Sequence, residues 1–159
     1  MPPRVTYRRG TPEDSAALTE ITVRAKASHG YDEAFMNLIL DDMAISEEQI
    51  ARDTFMLAIV HRRILGYAHL MPVEAPDTVY LENLYIDPDG QGMGLGRSLF
   101  EWAWVEAGRR GYDWLEWDSD PNAAPFYWKM GGEQISEVES TTFPGRMIPK
   151  FRKPTKREL

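Results

Sequence analysis

The sequence predicts one α+β (α/β) domain, and three observations carry that expectation. The chain has 159 residues, the length of a single ordinary domain. Its apolar share of 43% can supply a core. Its hydrophobic period is helical near the start, strand-like in the middle and alternating afterwards, with no repeat and no linker.

The elements follow in order. Residues 5–10 ("VTYRRG") alternate and predict a first strand. In "TPED", Thr11 can cap a helix, Pro12 suits its first turn, and Glu13 and Asp14 favour its positive end. Leu18, Ile21 and Ala25 then share a helical face, and Gly30 ends it. Residues 33–43 predict a second, more apolar helix, and residues 46–53 a short third one. Residues 54–60 and 64–73 predict two strands of a hairpin turning at "HRR", and residues 78–87 a third strand. Beyond the glycines, Leu95, Leu99, Trp102 or Ala103, and Ala107 mark an amphipathic helix closed by Gly108 and Gly111. Residues 112–118 predict a strand, 122–132 a short helix, and 133–143 and 146–151 two closing strands around "PG". The polar residues 152–159 are expected to fray.

Composition excludes several classes of function. A net charge of −7 lacks the basic footprint of non-specific nucleic-acid binding and opposes an anionic membrane. The absence of cysteine rules out disulfides, zinc–thiolate sites and a cysteine thioester. His29, His61 and His69 lack metal-ligand spacing, so no metal is expected. The start "MPPRVTYRRG" lacks a signal-peptide core and no apolar run reaches membrane-spanning length, so the expectation is a cytoplasmic protein.

The sharpest local feature is "DPDGQGMGLGRS", where Gly92, Gly94 and Gly96 join a strand to a helix. A dinucleotide fingerprint, G-x-G-x-x-G, would need a third glycine where Arg97 or Leu99 stands. A triphosphate loop would need glycine at Gln91 and lysine at Arg97. What remains is helix-end physics. First-turn amides and the dipole favour an anion, and a backbone without Cβ atoms lets a phosphate approach closely. Arg97 adds positive charge. The bland alternative is a tight turn that merely needs glycine.

"LYIDPDGQGMGLGRSLFEWA" resembles motif A of the GNAT N-acetyltransferases, Gln/Arg-x-x-Gly-x-Gly/Ala, on Gln91, Gly92, Met93, Gly94, Leu95 and Gly96. "DPNAAPFYWKMGG" is similar to the family's motif B, with its Phe126-Tyr127 pair, the basic Lys129 two residues later, and then glycine. The order of elements agrees across nearly the whole chain, and "STTFPGRMIPKF" resembles one bacterial branch. Two departures stand beside motif B. Gly131-Gly132 replaces the frequent Gly-Phe, and the bulky Trp128 stands where a charge is common.

The resemblance implies the GNAT fold over residues 1–159, a mixed, mostly antiparallel sheet of about six to seven strands flanked by about four helices. Two splayed strands would leave a slot for coenzyme A. Acetyl-CoA is then the cosubstrate and a primary amine the acceptor, with direct transfer and no metal. Residues 91–96, continuing through Arg97 and Ser98, would hold the pyrophosphate. The pantetheine arm would lie along Leu84, Tyr85 and Ile86, bulged away from residues 115–117, and a backbone N–H there would polarise the thioester carbonyl. Asn122 would cap the motif B helix and touch the arm, and Phe126, Tyr127 and Lys129 would complete the cofactor side. The resemblance also allows a homodimer.

Two side chains carry the expected chemistry. An alkylamine with a pKa of about 10.4 is neutral only to about one part in a thousand at pH 7, so a base helps. Glu82 is the first choice, because it shares a strand face with Leu84 and Ile86 and a carboxylate there needs a reason. Glu116 and Asp118 rank behind it. Tyr127 matches the family's acid for the departing thiolate, against the alternative of a core tyrosine. His29, Tyr31, Phe35 and Met36 lie in the loop that walls the acceptor site in this family, or simply pack. The five tryptophans are read as core or a subunit interface. Two further functions stay open. One is a non-catalytic acyl-CoA-binding module, and the other an acetyltransferase acting on a protein N-terminus or lysine.

Overall fold

The computed structural model describes residues 3–141 and 143–156. It contains β1 (Val5–Arg9), α1 (Ser15–Ala27), α2 (Glu33–Ile39), α3 (Glu47–Arg52), β2 (Thr54–Val60), β3 (Arg63–Pro72) and β4 (Thr78–Ile86). Then come α4 (Leu95–Arg109), β5 (Trp114–Asp118), α5 (Ala124–Lys129), β6 (Glu133–Glu139) and β7 (Met147–Pro154). The seven strands form one sheet in the order β1-β2-β3-β4-β5-β7-β6. Among the described residues there are five α-helices, where the resemblance implies about four, and the sheet has seven strands, within the expected six to seven and mostly antiparallel. Among the described residues, no helix is long and apolar enough to cross a membrane.

The chain divides into two compact units, Met1–His69 with Asn83–Leu99, and Leu70–Glu82 with Phe100–Leu159. In the first unit, β1 pairs antiparallel with β2 from Val5↔Val60 to Arg9↔Met56. β2 and β3 are sheet neighbours joined by only His61 and Arg62, which forces an antiparallel hairpin. Both connecting residues have positive φ, 50° and 66°, the signature of a type I′ turn built without glycine. Leu18 and Ile21 of α1 pack with Ile45, Ile50, Phe55, Leu57 and Tyr67 into the core of this unit. Beside it Phe35, Ile39 and Met43 form a smaller cluster with Tyr31 and Met36 packed on it.

Several element ends differ from the sequence expectation for local reasons. α2 begins at an Asp32 cap, whose side chain accepts from the Phe35 amide at 2.8 Å. It stops at Ile39, because Asp41 and Asp42 oppose the negative end of a helix and the chain tightens into a 3-10 turn, Asp41–Met43.

In the second unit β5 starts at Trp114, not at 112, because Tyr112 donates its amide back to Ala107 and closes α4. Its parallel ladder with β4 spans Thr78↔Trp114 to Tyr80↔Glu116, while β5 pairs with β7 over its full length. β6 ends at Glu139, short of the expected 143, and β7 starts one residue later than expected at Met147; near these ends Ser140 donates its amide to Arg146 and Gly145 has φ 87°. β7 also runs on through Arg152 and Lys153 to Pro154, and Thr155 donates its amide to Asp113 at 2.9 Å. That part of the expected tail is ordered strand, and residues 157–159 lie outside the described residues. The core of this unit is aromatic. Trp117 is fully buried, stacks on Phe151 at 5.8 Å, and meets Phe100 edge-on at 5.0 Å.

Candidate active site

The glycine-rich turn belongs to the first unit. Asp87 follows β4 and caps the 3-10 turn Pro88–Gly90; it is 2% exposed and accepts the Asp89 amide at 2.9 Å, while its own amide donates to Leu65 at 2.8 Å. Arg24 from α1 donates to both of its carboxylate oxygens, and Arg63 bridges to Asp89 at 2.8 Å. Burial alone would raise the Asp87 pKa, but the bonds from Arg24 and the Asp89 amide hold it below the usual carboxylate range. Gly90 is required by close approach, since a Cβ there would meet Leu95 at 3.0 Å and the Leu65 carbonyl at 3.1 Å.

Gly92 and Gly94 are required by conformation instead. Their φ values are 81° and 73°, and an added Cβ would meet nothing within 4 Å. Gln91, Gly92 and Gly94 are exposed, Met93 and Gly96 half-buried, and Leu95 anchors the turn at 2% exposure. The first bond of α4 in this stretch runs from the Ser98 amide to Gly94 O at 3.1 Å. The amides of Leu95 and Gly96 lie ahead of it, at the positive end of a 15-residue helix, beside exposed Arg97 and Ser98. The turn can therefore hold an anion in the open space before it. Upstream, Leu84, Tyr85 and Ile86 are half-buried, and Ile86 lies against Gly66, where a Cβ would come within 2.8 Å of it.

The second unit holds the proposed acid and base. Tyr127 is 7% exposed, 5.2 Å from the Trp117 ring and 6.0 Å from that of Phe100. Phe126 is half-buried and edge-on to Tyr127, while Lys129 is exposed in the last turn of α5. Glu82 is exposed. The two alternative bases are engaged elsewhere. Asp118 accepts the Tyr80 hydroxyl at 2.9 Å, and Glu116 lies 3.7 Å from the Lys150 ammonium. Burial, then Asp118, Glu116 and Glu82 push the Tyr80 phenol far above its usual range, so it remains a donor.

Asn122 does not cap the motif B helix. Asp120 caps the 3-10 turn Pro121–Ala123, accepting the Asn122 amide at 2.9 Å, and the Asn122 side chain donates to the same carboxylate at 3.0 Å. The Asp-Pro dipeptide explains this, because proline takes the first position of the turn and leaves aspartate as its cap.

One set of polar residues was missed from the sequence. His69 is fully buried on β3, with its Nε2 2.8 Å from Asp53 and its Nδ1 3.3 Å from the Asn83 amide nitrogen. The only local signal was a histidine inside an apolar strand run. Among the described residues, no cluster of His, Cys, Asp and Glu could hold a metal ion.

Comparison with known proteins gives this geometry its family. The profile of the acetyltransferase (GNAT) domain matches residues 51–131. A search of curated proteins finds no match. Among solved structures, a GCN5-related N-acetyltransferase from Rhodopseudomonas palustris is 24% identical with a TM-score of 0.79, covering 97% of this chain and 98% of its own. PaiA N-acetyltransferase from Thermoplasma acidophilum, in complex with coenzyme A, is 16% identical with a TM-score of 0.78, covering 95% and 99%. The ribosomal-protein-S18-alanine N-acetyltransferase from Escherichia coli is 22% identical with a TM-score of 0.73, covering 98% and 97%. These three likenesses lie in the fold. With the profile spanning half of the sequence, the glycine turn and α5 included, the chain belongs to the GNAT acetyltransferase family.

Proposed function

We propose that residues 1–159 act as one N-acetyltransferase domain that transfers the acetyl group of acetyl-CoA directly to a primary amine. The observation that carries this is the left-handed pair Gly92 and Gly94, open on its outer side, at the start of α4 in a chain of this family. The coenzyme A bound to the Thermoplasma relative supports the same ligand here.

Bound acetyl-CoA supplies an activated acyl thioester. Gln91, Gly92, Met93, Gly94, Leu95 and Gly96 hold its pyrophosphate by backbone amides and the α4 dipole, with Arg97 and Ser98 beside them. Leu84, Tyr85 and Ile86 offer backbone groups to the pantetheine arm, and one N–H there polarises the thioester carbonyl. Glu82 takes a proton from the incoming ammonium, directly or through water. Its exposure supports this role. Tyr127 gives its hydroxyl proton to the departing thiolate, and the second proton that the nitrogen sheds as the amide forms restores it. Phe126, Asn122 and Lys129 line the cofactor side.

The test is release of free CoA from acetyl-CoA over a panel of putrescine, an aminoglycoside, L-lysine and an alanine-led pentapeptide. Amine-dependent release with at least one of them is expected. Acetyl-CoA binding without any amine-dependent release would favour a non-catalytic acyl-CoA-binding domain.

A further inference from the structure

α5 carries Tyr127 and has only six residues, Ala124–Lys129. A helix that short does not hold itself in water, so its neighbours set the place of its side chains. Two bonds hold its closing turn. The Gly132 amide donates to Tyr127 O at 2.9 Å, and the Lys153 ammonium of β7 donates to Met130 O at 2.9 Å. The Tyr127 ring itself lies among Trp117 at 5.2 Å, Phe151 at 5.9 Å and Phe100 at 6.0 Å. All of these residues belong to the second unit.

The two glycines after α5 are demanded by different things. Gly131 has φ 87°, a left-handed backbone. Gly132 has no such φ, and space alone demands it. A Cβ there would meet Trp117 Cζ2 at 2.8 Å, Tyr127 O at 3.0 Å and Phe151 Cδ1 at 3.1 Å. The first approach is closer than Cβ atoms make, and it is to the six-membered half of the indole, which a phenylalanine at 117 would lack. The other two need the neighbours to give by only a few tenths of an ångström. Gly132 is therefore the room that the Trp117 indole needs against the backbone of α5. A larger residue after Gly131 would stand where that ring lies.

Trp117 is a costly residue for plain filling. It is fully buried, and its Nε1–H has no hydrogen-bond partner among the described residues, a loss that phenylalanine would avoid. What the indole adds is reach and stiffness. It stacks on Phe151 with the planes 7° apart, meets Phe100 edge-on, and extends from both to the Tyr127 ring. Its backbone is fixed from the β7 side, where it is the register partner of Phe151, and it stands just past the last pair of the β4–β5 ladder, Tyr80↔Glu116. We propose that Trp117 is a positioning residue for Tyr127: its indole, admitted by Gly132, fixes the phenol ring and with it the point at which the hydroxyl meets the departing thiolate. The part of this that concerns the thiolate rests on the acetyltransferase reading.

The test is a cycle of Gly132→Ala, Trp117→Phe and the two together, in the full chain. Gly132→Ala should press the indole out of place and lower kcat for the preferred amine roughly tenfold or more, with KM for acetyl-CoA within about twofold. Trp117→Phe loosens the cage and should lower kcat by a smaller factor. The double variant should return to within about threefold of wild type, because the added methyl fills part of what the smaller ring leaves. Carbon-13 NMR of the tyrosine rings reads the cage without turnover, with Tyr127→Phe assigning the signal. The wild-type Tyr127 ring should flip slowly enough to show its two edges separately, Trp117→Phe should merge them, and the double variant should separate them again. Should Gly132→Ala fail to fold, Trp117→Phe and the ring signals still decide. Losses of kcat that add in the double variant overturn the proposal, as does a Tyr127 ring that flips as freely in the wild type as in Trp117→Phe. It also fails if Trp117→Phe lowers the urea midpoint and leaves both kcat and the ring signals unchanged, which makes Trp117 core packing alone. A wild type that acetylates no amine while the ring signals behave as expected overturns the acetyltransferase reading and leaves the hold of Trp117 on Tyr127 standing.

Discussion

Arg24 of α1 grips Asp87 at the end of β4 through two hydrogen bonds, Nε to Oδ2 at 3.0 Å and Nη2 to Oδ1 at 3.3 Å. The carboxylate is almost fully buried and also holds the Asp89 amide, so it ties the first helix to the entrance of the glycine turn. Asp87→Ala leaves these donors without a partner and should cost about 2 kcal/mol in urea unfolding. Arg24→Ala should cost less, because the guanidinium is exposed to solvent and its loss spares the amide bond. Equal midpoints for Asp87→Ala and the wild type would contradict this assignment.

Acid should destabilise the protein in two stages. His69 titrates below its ordinary value in the folded chain, so the unfolded chain binds the proton first. Stability should be full above about pH 6.5 and fall as pH drops below it. Asp14, Asp53 and Asp87 are held low by their cationic partners, and their contributions are lost below about pH 4. The upper stage should vanish in His69→Gln. Urea midpoints measured from pH 8 to pH 3 check both stages.

The turn glycines should separate into two kinds. Gly90→Ala meets Leu65 backbone and should lower stability with a matching loss of folded protein. Gly92→Ala and Gly94→Ala meet no atom but must hold a left-handed backbone, which costs about 1–2 kcal/mol. They should fold and bind acetyl-CoA at least tenfold more weakly, as read by calorimetry. Unchanged affinity in both would remove the turn from the binding surface.

On the proposed chemistry, Tyr127→Phe keeps the ring inside its aromatic cage and removes only the acid. kcat should fall by roughly a hundredfold or more, with acetyl-CoA affinity within twofold. A large loss of affinity would make Tyr127 a cofactor-packing residue. Glu82→Gln should lower kcat/KM for the amine by a similar factor at neutral pH, and a smaller loss would leave deprotonation to water.

What the sequence disclosed was mostly local. Periodicity, caps and closing glycines marked the strands and helices, and the alternate glycines marked the turn, because all of these depend on near neighbours in the chain. The motifs also led correctly to the family. What escaped depends on pairing between distant segments. Asp53 is 16 residues from His69, and Asn83 another 14 beyond, and only strand register brings them together. The His61–Arg62 turn lacked its usual glycine, so its type was illegible. Gly90 looked like one more turn glycine until the Leu65 carbonyl was found beside it. Asn122 was read as a cap because asparagine is a good one, yet Asp120 stands ahead of the proline and takes that place.

The most direct test of the central claim is thermal unfolding with and without acetyl-CoA. At about a hundred times its dissociation constant, a ligand bound only to the folded chain stabilises by about 2.7 kcal/mol. For a domain of this size that is a rise in Tm of roughly 5–10 °C. Such a rise, reduced in Gly94→Ala, is the predicted result. No shift at millimolar acetyl-CoA with correctly folded protein would contradict the account.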